Sequence, residues 1–369
     1  MFWTPQRPQL SNRCFLAKTP PRYYRVVFCV VNNMAQQKQK AVVTGGAGFI
    51  GSHLADALIH EGYAVTVIDN LSTGSERQIN KKAKFIQVDI QDLRSIKPHF
   101  KNAKYVFHCA ARARIQPSIV DPEPTFHDNI IGTLNVLLAA RDAGVKRVVY
   151  SASSSSYGDQ ESLPLHEGMQ SRFKSPYSLS KYVGEETCRL FSKLYGLETV
   201  SLRYFNVYGP RQLATGAYAT VVGIFLDQLE RGQPVTIVEP GIIRRDFTHV
   251  SDVVRANILA AESKKVGVGE TINIGTGKNY SINEVASMIL QHHAVSKNNT
   301  YEVRFASASF LENPKAILAS AIKAGKAAYV PKRPGESLVT LADNTKAKKL
   351  LGWAPKVSFG DGIRGLMLS

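Results

Sequence analysis

Between residues 40 and 206 short apolar runs and amphipathic segments take turns along the chain, and this alternation limits the possible folds more than any other feature. The runs are KAVVTG, AVTVID, KFIQVDI, YVFHCA, RVVYSAS and SLRYFNV; helical segments are expected near 52–61, 126–143 and 177–195. A continuous apolar strand is buried on both faces, and a helix between two such strands returns the chain to begin the next one in the same direction. The pattern therefore predicts an α/β, doubly wound parallel sheet. After residue 206 the order loosens into a helix near 218–231, a strand VTIVE at 235–239, a helix from Ser251 and a strand TINIG at 271–275.

The first unit reads VTGGAGFIGSHLADAL, residues 43–58. Gly45, Gly48 and Gly51 lie between strand and helix, where a diphosphate can approach bare backbone and the positive end of the helix. The spacing alone also serves tight packing, but its place between these two elements predicts a dinucleotide site of Rossmann type. Asp69 closes the second strand, where a carboxylate accepts hydrogen bonds from an adenosine ribose and repels a 2′-phosphate. No arginine takes its place, so NAD is the expected cofactor. Asp89, at the end of the third run, is a candidate for the adenine side, although a solvated strand-end carboxylate fits as well.

With 369 residues, 44% of them hydrophobic and 20% charged, the chain has the make-up of a folded protein with a sizeable core. The expected domains are a Rossmann part, 38–205 plus 248–275, and a smaller C-terminal α/β substrate lobe, 206–247 plus 276–369. The formal charge of +17 brings no nucleic-acid motif and no apolar run long enough to span a bilayer, so neither nucleic acid nor membrane is an expected partner. Residues 1–33 carry Arg7, Arg13, Lys18, Arg22 and Arg25 and no acid. The segment 1–37 reads as a disordered extension or a start assigned too early, with a transit peptide as the alternative. Cys14, Cys29, Cys109 and Cys188 are scattered with no CxxC pair, so no metal site and no disulfide framework is expected, and a cytoplasmic location fits best.

Tyr177 and Lys181, in YSLSK, stand one helical turn apart and face the same way. A free phenol, with a pKa of about 10, is a poor base at neutral pH; a neighbouring ammonium and the positive ring of an oxidised nicotinamide favour the phenolate. A surface pair at this spacing is the bland alternative. The position after SASSSSYG, at the end of a central strand, favours the chemical one.

Together TGGAGFIG, SSSSYG, YSLSK, RYFNVYGPRQ and RDFTHVSD resemble the extended short-chain dehydrogenases, and within them the nucleotide-sugar 4-epimerases that act on UDP-sugars and their N-acetyl forms; the match runs from about residue 38 to the C-terminus. The resemblance implies a tightly held NAD that is reduced and reoxidised within one turnover, a transient 4-keto sugar, and Tyr177 as the base at the 4-hydroxyl with Lys181 lowering its pKa. It implies Ser153 as the partner of the 4-oxygen. The implied cofactor shell is Gly45, Gly48, Phe49, Ile50, Gly51, Asp69, Asn70, Asp89, Ile90, Ala110, Asn129 and Phe205, besides Tyr177 and Lys181. For substrate it implies Asn206, the diphosphate clamp Arg245 and Arg333, Glu336 at the uridine ribose, and Thr340 as a gatekeeper small enough to admit an N-acetyl group. A homodimer through the helices near 126–143 and 177–195 is implied as well.

Arg114 departs from the family, which often has serine there; it would lie close to the sugar and could accept an acidic one. Residues 306–328 look like an Ala-rich insertion. Related dehydratases carry an Asp-Glu pair where Ser154 and Ser155 stand, and sister decarboxylases a glutamate at Ser155, so neither reaction has its extra acid. A UDP-glucuronate 4-epimerase or other nucleotide-sugar oxidoreductase is the alternative activity. An NAD-sensing binding protein on the same fold is the alternative of another class.

Overall fold

Strands form where the apolar runs stand: β1 (Lys40–Thr44), β2 (Ala64–Asp69), β3 (Lys84–Gln87), β4 (Ala103–His108), β5 (Arg147–Ser153) and β6 (Glu198–Tyr204). Between them run α1 (Phe49–His60), α2 (Leu93–Ile96), α3 (Ile115–Val120), α4 (Glu123–Phe126), α5 (Gly132–Asp142) and α6 (Pro176–Tyr195). There follow β7 (Val207–Tyr208), α7 (Val221–Glu230), β8 (Val235–Val238), β9 (Arg244–Asp246), β10 (Thr248–His249), α8 (Val250–Glu262) and β11 (Val268–Ile274). The chain closes with β12 (Asn279–Ser281), α9 (Ile282–Lys297), α10 (Pro314–Lys323), β13 (Ala327–Val330), α11 (Thr345–Leu351) and α12 (Phe359–Leu368). This computed structural model describes residues 38–216, 219–297, 313–332 and 337–368; the expected extension, 1–37, lies outside the described residues.

Seven strands form one sheet in the order β11-β6-β5-β4-β1-β2-β3, with every pair parallel. The chain winds outward from β1 in both directions, so the loops leaving the C-terminal ends of β1 and β4 diverge and open a crevice. One apolar cluster packs α1 and α8 against the sheet through Leu54, Leu58, Val253 and Ala260, and a second packs α5 and α6 against the other face through Val136, Ala140, Cys188 and Phe191. The guanidinium of Arg147, 3% exposed, donates to the carbonyls of Ala260, Ala261, Ser263 and Val266 at 2.7–3.0 Å. It satisfies carbonyls at and beyond the C-terminal end of α8, which that helix cannot pair internally, and pairs with Glu198 at 2.6 Å.

One expectation changes. The third strand stops at Gln87, because Asp89 takes the amide of Gln91 at 2.8 Å and the Asn70 side chain at 2.7 Å and turns the backbone away from the sheet. The Ala-rich stretch is structured in its described part, from 313 on: α10 and β13 bury Leu318, Ala321 and Ala327 in a third cluster with Phe225, Ile237 and Ile289, and β13 pairs in parallel with β8. The helix expected near 126–143 forms as α4, a wider π turn over His127–Ile131 and α5.

Candidate active site

A cleft of about 560 Å³ lies over the carboxyl ends of the strands, lined by the glycine turn, the ends of β2, β4 and β5, the start of α6, and residues of α7 and β8. Gly45 has φ +71°, and a Cβ there would sit 2.5 Å from the amide nitrogen of Ala110. A Cβ on Gly51 would run into the Gly45 carbonyl, with the Gly46 Cα at 2.9 Å. Gly48 differs: a Cβ there meets only the Gly45 oxygen, at 3.3 Å, so its other side stays open, and no side chain caps the amino end of α1. Bare backbone and a helix end without a side-chain cap are what an anionic diphosphate needs, so these residues fit a dinucleotide.

Asp69, 8% exposed, accepts from the Ala47 amide at 2.9 Å and the Leu71 amide at 2.8 Å. Burial raises its pKa and the two amides oppose that shift. Phe49, Ile50, Asn70, Asp89, Ile90 and Ala110 line the cleft with it.

Helix α6 starts with a reciprocal cap: the Ser175 hydroxyl accepts from the Ser178 amide at 3.2 Å, the Ser178 hydroxyl accepts from the Ser175 amide at 3.1 Å, and Pro176 presets the first helical residue. Such a cap contributes about 1 kcal/mol and fixes where the first turn points. Tyr177 lies in that turn, its amide held by the Ser118 hydroxyl at 3.2 Å. Tyr177 lines the cleft together with Ser153 at the end of β5. Desolvation raises the phenol pKa; the Ser153 side chain and the charge of Arg114 oppose that shift. Lys181 is 3% exposed, donates to the Ser151 carbonyl at 2.9 Å and stands 4.9 Å from the centre of the Tyr150 ring. Burial lowers its pKa to about 8.

Asn206, with φ +29°, donates its amide to the Asp246 carbonyl at 3.0 Å and to the Thr340 hydroxyl at 3.2 Å. The Thr340 hydroxyl also accepts from the Asp246 amide at 3.2 Å. Asn206, Thr340, Arg245 and Arg114 all line the cleft. Arg333 and Glu336 lie outside the described residues. Two expected cofactor residues do not reach the cleft wall. Asn129 is buried and ties the backbone of Arg112, at 2.8 and 3.0 Å, to the Ser180 hydroxyl at 2.9 Å, holding the loop after β4 against α6. Phe205 packs on Tyr157, Leu165 and Ala342.

Other cleft residues were not singled out from sequence. Arg211, in the quoted motif RYFNVYGPRQ, lines the cleft and pairs with Asp56 at 2.7 Å; the motif was the available signal. Val221, Ile224 and Phe225 of α7 face Thr236 and Val238 of β8 across its apolar end. Nothing in the sequence marks them, since their spacing is that of any amphipathic helix.

A glycine turn at the switch point of a doubly wound sheet, with a tyrosine and a lysine one turn apart beyond β5, defines the class: an α/β nucleotide-binding protein of Rossmann type. The chain belongs to the NAD dependent epimerase/dehydratase family, whose model matches residues 41–275. It is 34% identical over 332 residues to a UDP-glucose 4-epimerase of Mycolicibacterium smegmatis, spanning 88% of this chain and 96% of that protein. The fold is similar to the UDP-glucose 4-epimerase of Thermotoga maritima solved with UDP-glucose, at a TM-score of 0.77 and 37% identity over 88% of this chain and 96% of that one. It is similar also to the UDP-N-acetylglucosamine 4-epimerase of Methanobrevibacter ruminantium in complex with UDP-N-acetylmuramic acid, at a TM-score of 0.76 and 31% identity over 90% and 99% of the two chains. Among the described residues no helix is long and apolar enough to cross a membrane.

Proposed function

We propose that the protein interconverts UDP-glucose and UDP-galactose, and their N-acetyl forms, by inverting the configuration at carbon 4. The observation that carries this reading is that Tyr177 and Ser153 line one cleft with the glycine turn and Asp69. NAD, when bound, supplies the hydride acceptor and donor. The open side of Gly48 and the amino end of α1 would hold its diphosphate, in a turn that Gly45 and Gly51 let close on itself, and Asp69 would hold its adenosine ribose. Tyr177 takes the proton of the sugar 4-hydroxyl as that carbon is oxidised and returns it to the 4-oxygen when the 4-keto sugar is reduced on its other face, so the proton count closes within one turnover. Ser153 keeps the oxygen in line with the phenol. Lys181 supplies a buried positive charge beneath the site.

Asn206 and Arg245 bind the sugar and the diphosphate, joined by Arg333 and Glu336. Thr340 lines the sugar end with a short side chain, which favours acceptance of an N-acetyl group. Free thiols at Cys109 and Cys188 suit a reducing cytoplasm. A homodimer through α5 and α6 is supported by Leu179, Leu190 and Leu194 on the exposed side of α6, with Ile131 beside them in the chain's π turn.

Purified protein offered a panel of UDP- and dTDP-sugars should produce C4 epimers of UDP-glucose and UDP-N-acetylglucosamine. Tyr177→Phe should lower kcat at least about a hundredfold, the usual size of a general-base effect, with an unchanged melting temperature. A panel without C4 epimers, or a Tyr177→Phe enzyme of near-full activity, would overturn the reading.

A further inference from the structure

Three polar side chains are buried between the sheet and α5, outside the lining of the cleft: Thr44, the last residue of β1, His108, the last of β4, and Thr133 in the first turn of α5. Parallel pairing sets Thr44 beside His108 and His108 beside Tyr150, so these three form a row on the sheet face that α5 and α6 cover. The His108 ring is the bridge: Nδ1 lies 2.7 Å from the Thr44 hydroxyl and Nε2 lies 2.9 Å from the Thr133 hydroxyl. Because the Thr133 hydroxyl donates to the Asn129 carbonyl at 2.6 Å, it accepts from Nε2, which therefore carries the ring hydrogen. Burial holds the His108 pKa down at about 3, so the ring is neutral and Nδ1 accepts from Thr44. The Asn129 side chain carries the chain of bonds on to the Ser180 hydroxyl at 2.9 Å, and that hydroxyl donates to the Tyr177 carbonyl at 2.9 Å. Beside His108, the Tyr150 hydroxyl donates to the Lys181 carbonyl at 3.4 Å. Both routes end on the turn of α6 that bears Tyr177 and Lys181, and they begin one residue before Gly45.

We propose that His108 is a positioning residue that couples the glycine turn to the first turn of α6, setting the placement of Tyr177 against the cofactor turn through its bonds to Thr44 and Thr133. The proposal rests on the reading of the glycine turn as the NAD site and of Tyr177 as the base. Stability alone does not call for these groups, since apolar side chains of the same shape would fill the space with no polar atom to bury. A fully satisfied chain of buried bonds fixes direction as well as distance, which apolar contacts do not. Proton and hydride leave the same carbinol group of the sugar, so a shift of about 1 Å between the two elements that take them costs roughly a hundredfold in rate.

The test reads hydrogen–deuterium exchange on the full chain as purified, beside kcat and KM for UDP-glucose. Thr44→Val removes the donor to Nδ1 with little change in volume, and Thr133→Val removes the acceptor of Nε2. Each should lower kcat about tenfold at an unchanged KM, and the double variant should also lose about tenfold rather than the product of about a hundredfold, because either break releases the same link. Thr44→Ser and Thr133→Ser keep the hydroxyl and should restore kcat, and Thr44→Ala serves if the valine variant folds poorly. With no substrate present, Thr44→Val should speed amide exchange across 127–131 and 177–181, beyond the His108 ring, and leave that of α9 unchanged. Losses that multiply in the double variant, exchange that changes only around Thr44, or serine variants as slow as the valine ones overturn the coupling. A parent enzyme that forms no C4 epimer would instead strike at the proposed function, while the exchange measurement still decides whether His108 couples the two elements.

Discussion

Single residues divide the chemistry by what their neighbours leave them to do. Tyr177 and Ser153 share the cleft because the cap of α6 and the end of β5 converge on it, and Lys181 is held by the Ser151 carbonyl. Thr340 carries a second prediction. Its hydroxyl holds both the Asn206 side chain and the Asp246 amide, so a change there acts through bulk and through lost bonds at once. Thr340→Val keeps the volume and removes the bonds; each is worth about 1 kcal/mol, so a modest loss on both sugars should follow. Thr340→Tyr adds the ring and should abolish turnover of UDP-N-acetylglucosamine beyond that shared loss while sparing UDP-glucose comparatively. Equal kcat/KM losses on both sugars in the tyrosine variant would place the gatekeeper elsewhere.

At the scale of elements, the β1–turn–α1 unit separates two uses of glycine that look alike in the sequence. Gly51 serves packing, since a Cβ meets fixed backbone of Gly45 and Gly46, whereas Gly48 serves approach, since a Cβ there has room on its open side. Gly51→Ala should therefore cost about 1–3 kcal/mol of stability, the usual cost of overpacking, and lose NAD as well. Gly48→Ala should keep its melting temperature within a few degrees and retain less NAD on purification. Melting curves and NAD released by acid denaturation distinguish the two; a Gly48→Ala protein with full NAD content would mean that the turn does not hold the diphosphate. Element boundaries were less legible than element order. β3 ended early because a side chain, Asp89, captured the Gln91 amide and the Asn70 side chain locally, and the Ala-rich stretch packs through the partners that α10 and β13 meet in space.

For the whole molecule, one face of α6 leaves Leu190, Leu194 and Tyr195 between 50% and 59% exposed, an apolar surface that a second copy of the chain would cover. Light scattering at micromolar concentration should give twice the chain mass of 40.6 kDa. Paired Leu190→Glu and Leu194→Glu changes should shift the mass toward the monomer, and a monomeric parent protein would rule the dimer out. The excess positive charge has a partial account at this scale: Arg114, Lys181, Arg211 and Arg245 line one cleft, where they suit a dinucleotide and a nucleotide sugar.

What the sequence determined by itself was whatever depends on local spacing. Alternating apolar runs dictated the parallel sheet, the three glycines between strand and helix dictated the turn, and the four-residue step dictated that Tyr177 and Lys181 share a helix face. Tertiary structure decided that Lys181 donates to the Ser151 carbonyl, that Asn129 ties a loop rather than lining the cleft, and that Thr340 joins Asn206 across 134 positions of chain. Periodicity fixes the direction of a side chain relative to its own element. Its distance to a group on another element depends on how helices and loops pack, and that information is spread over the whole core.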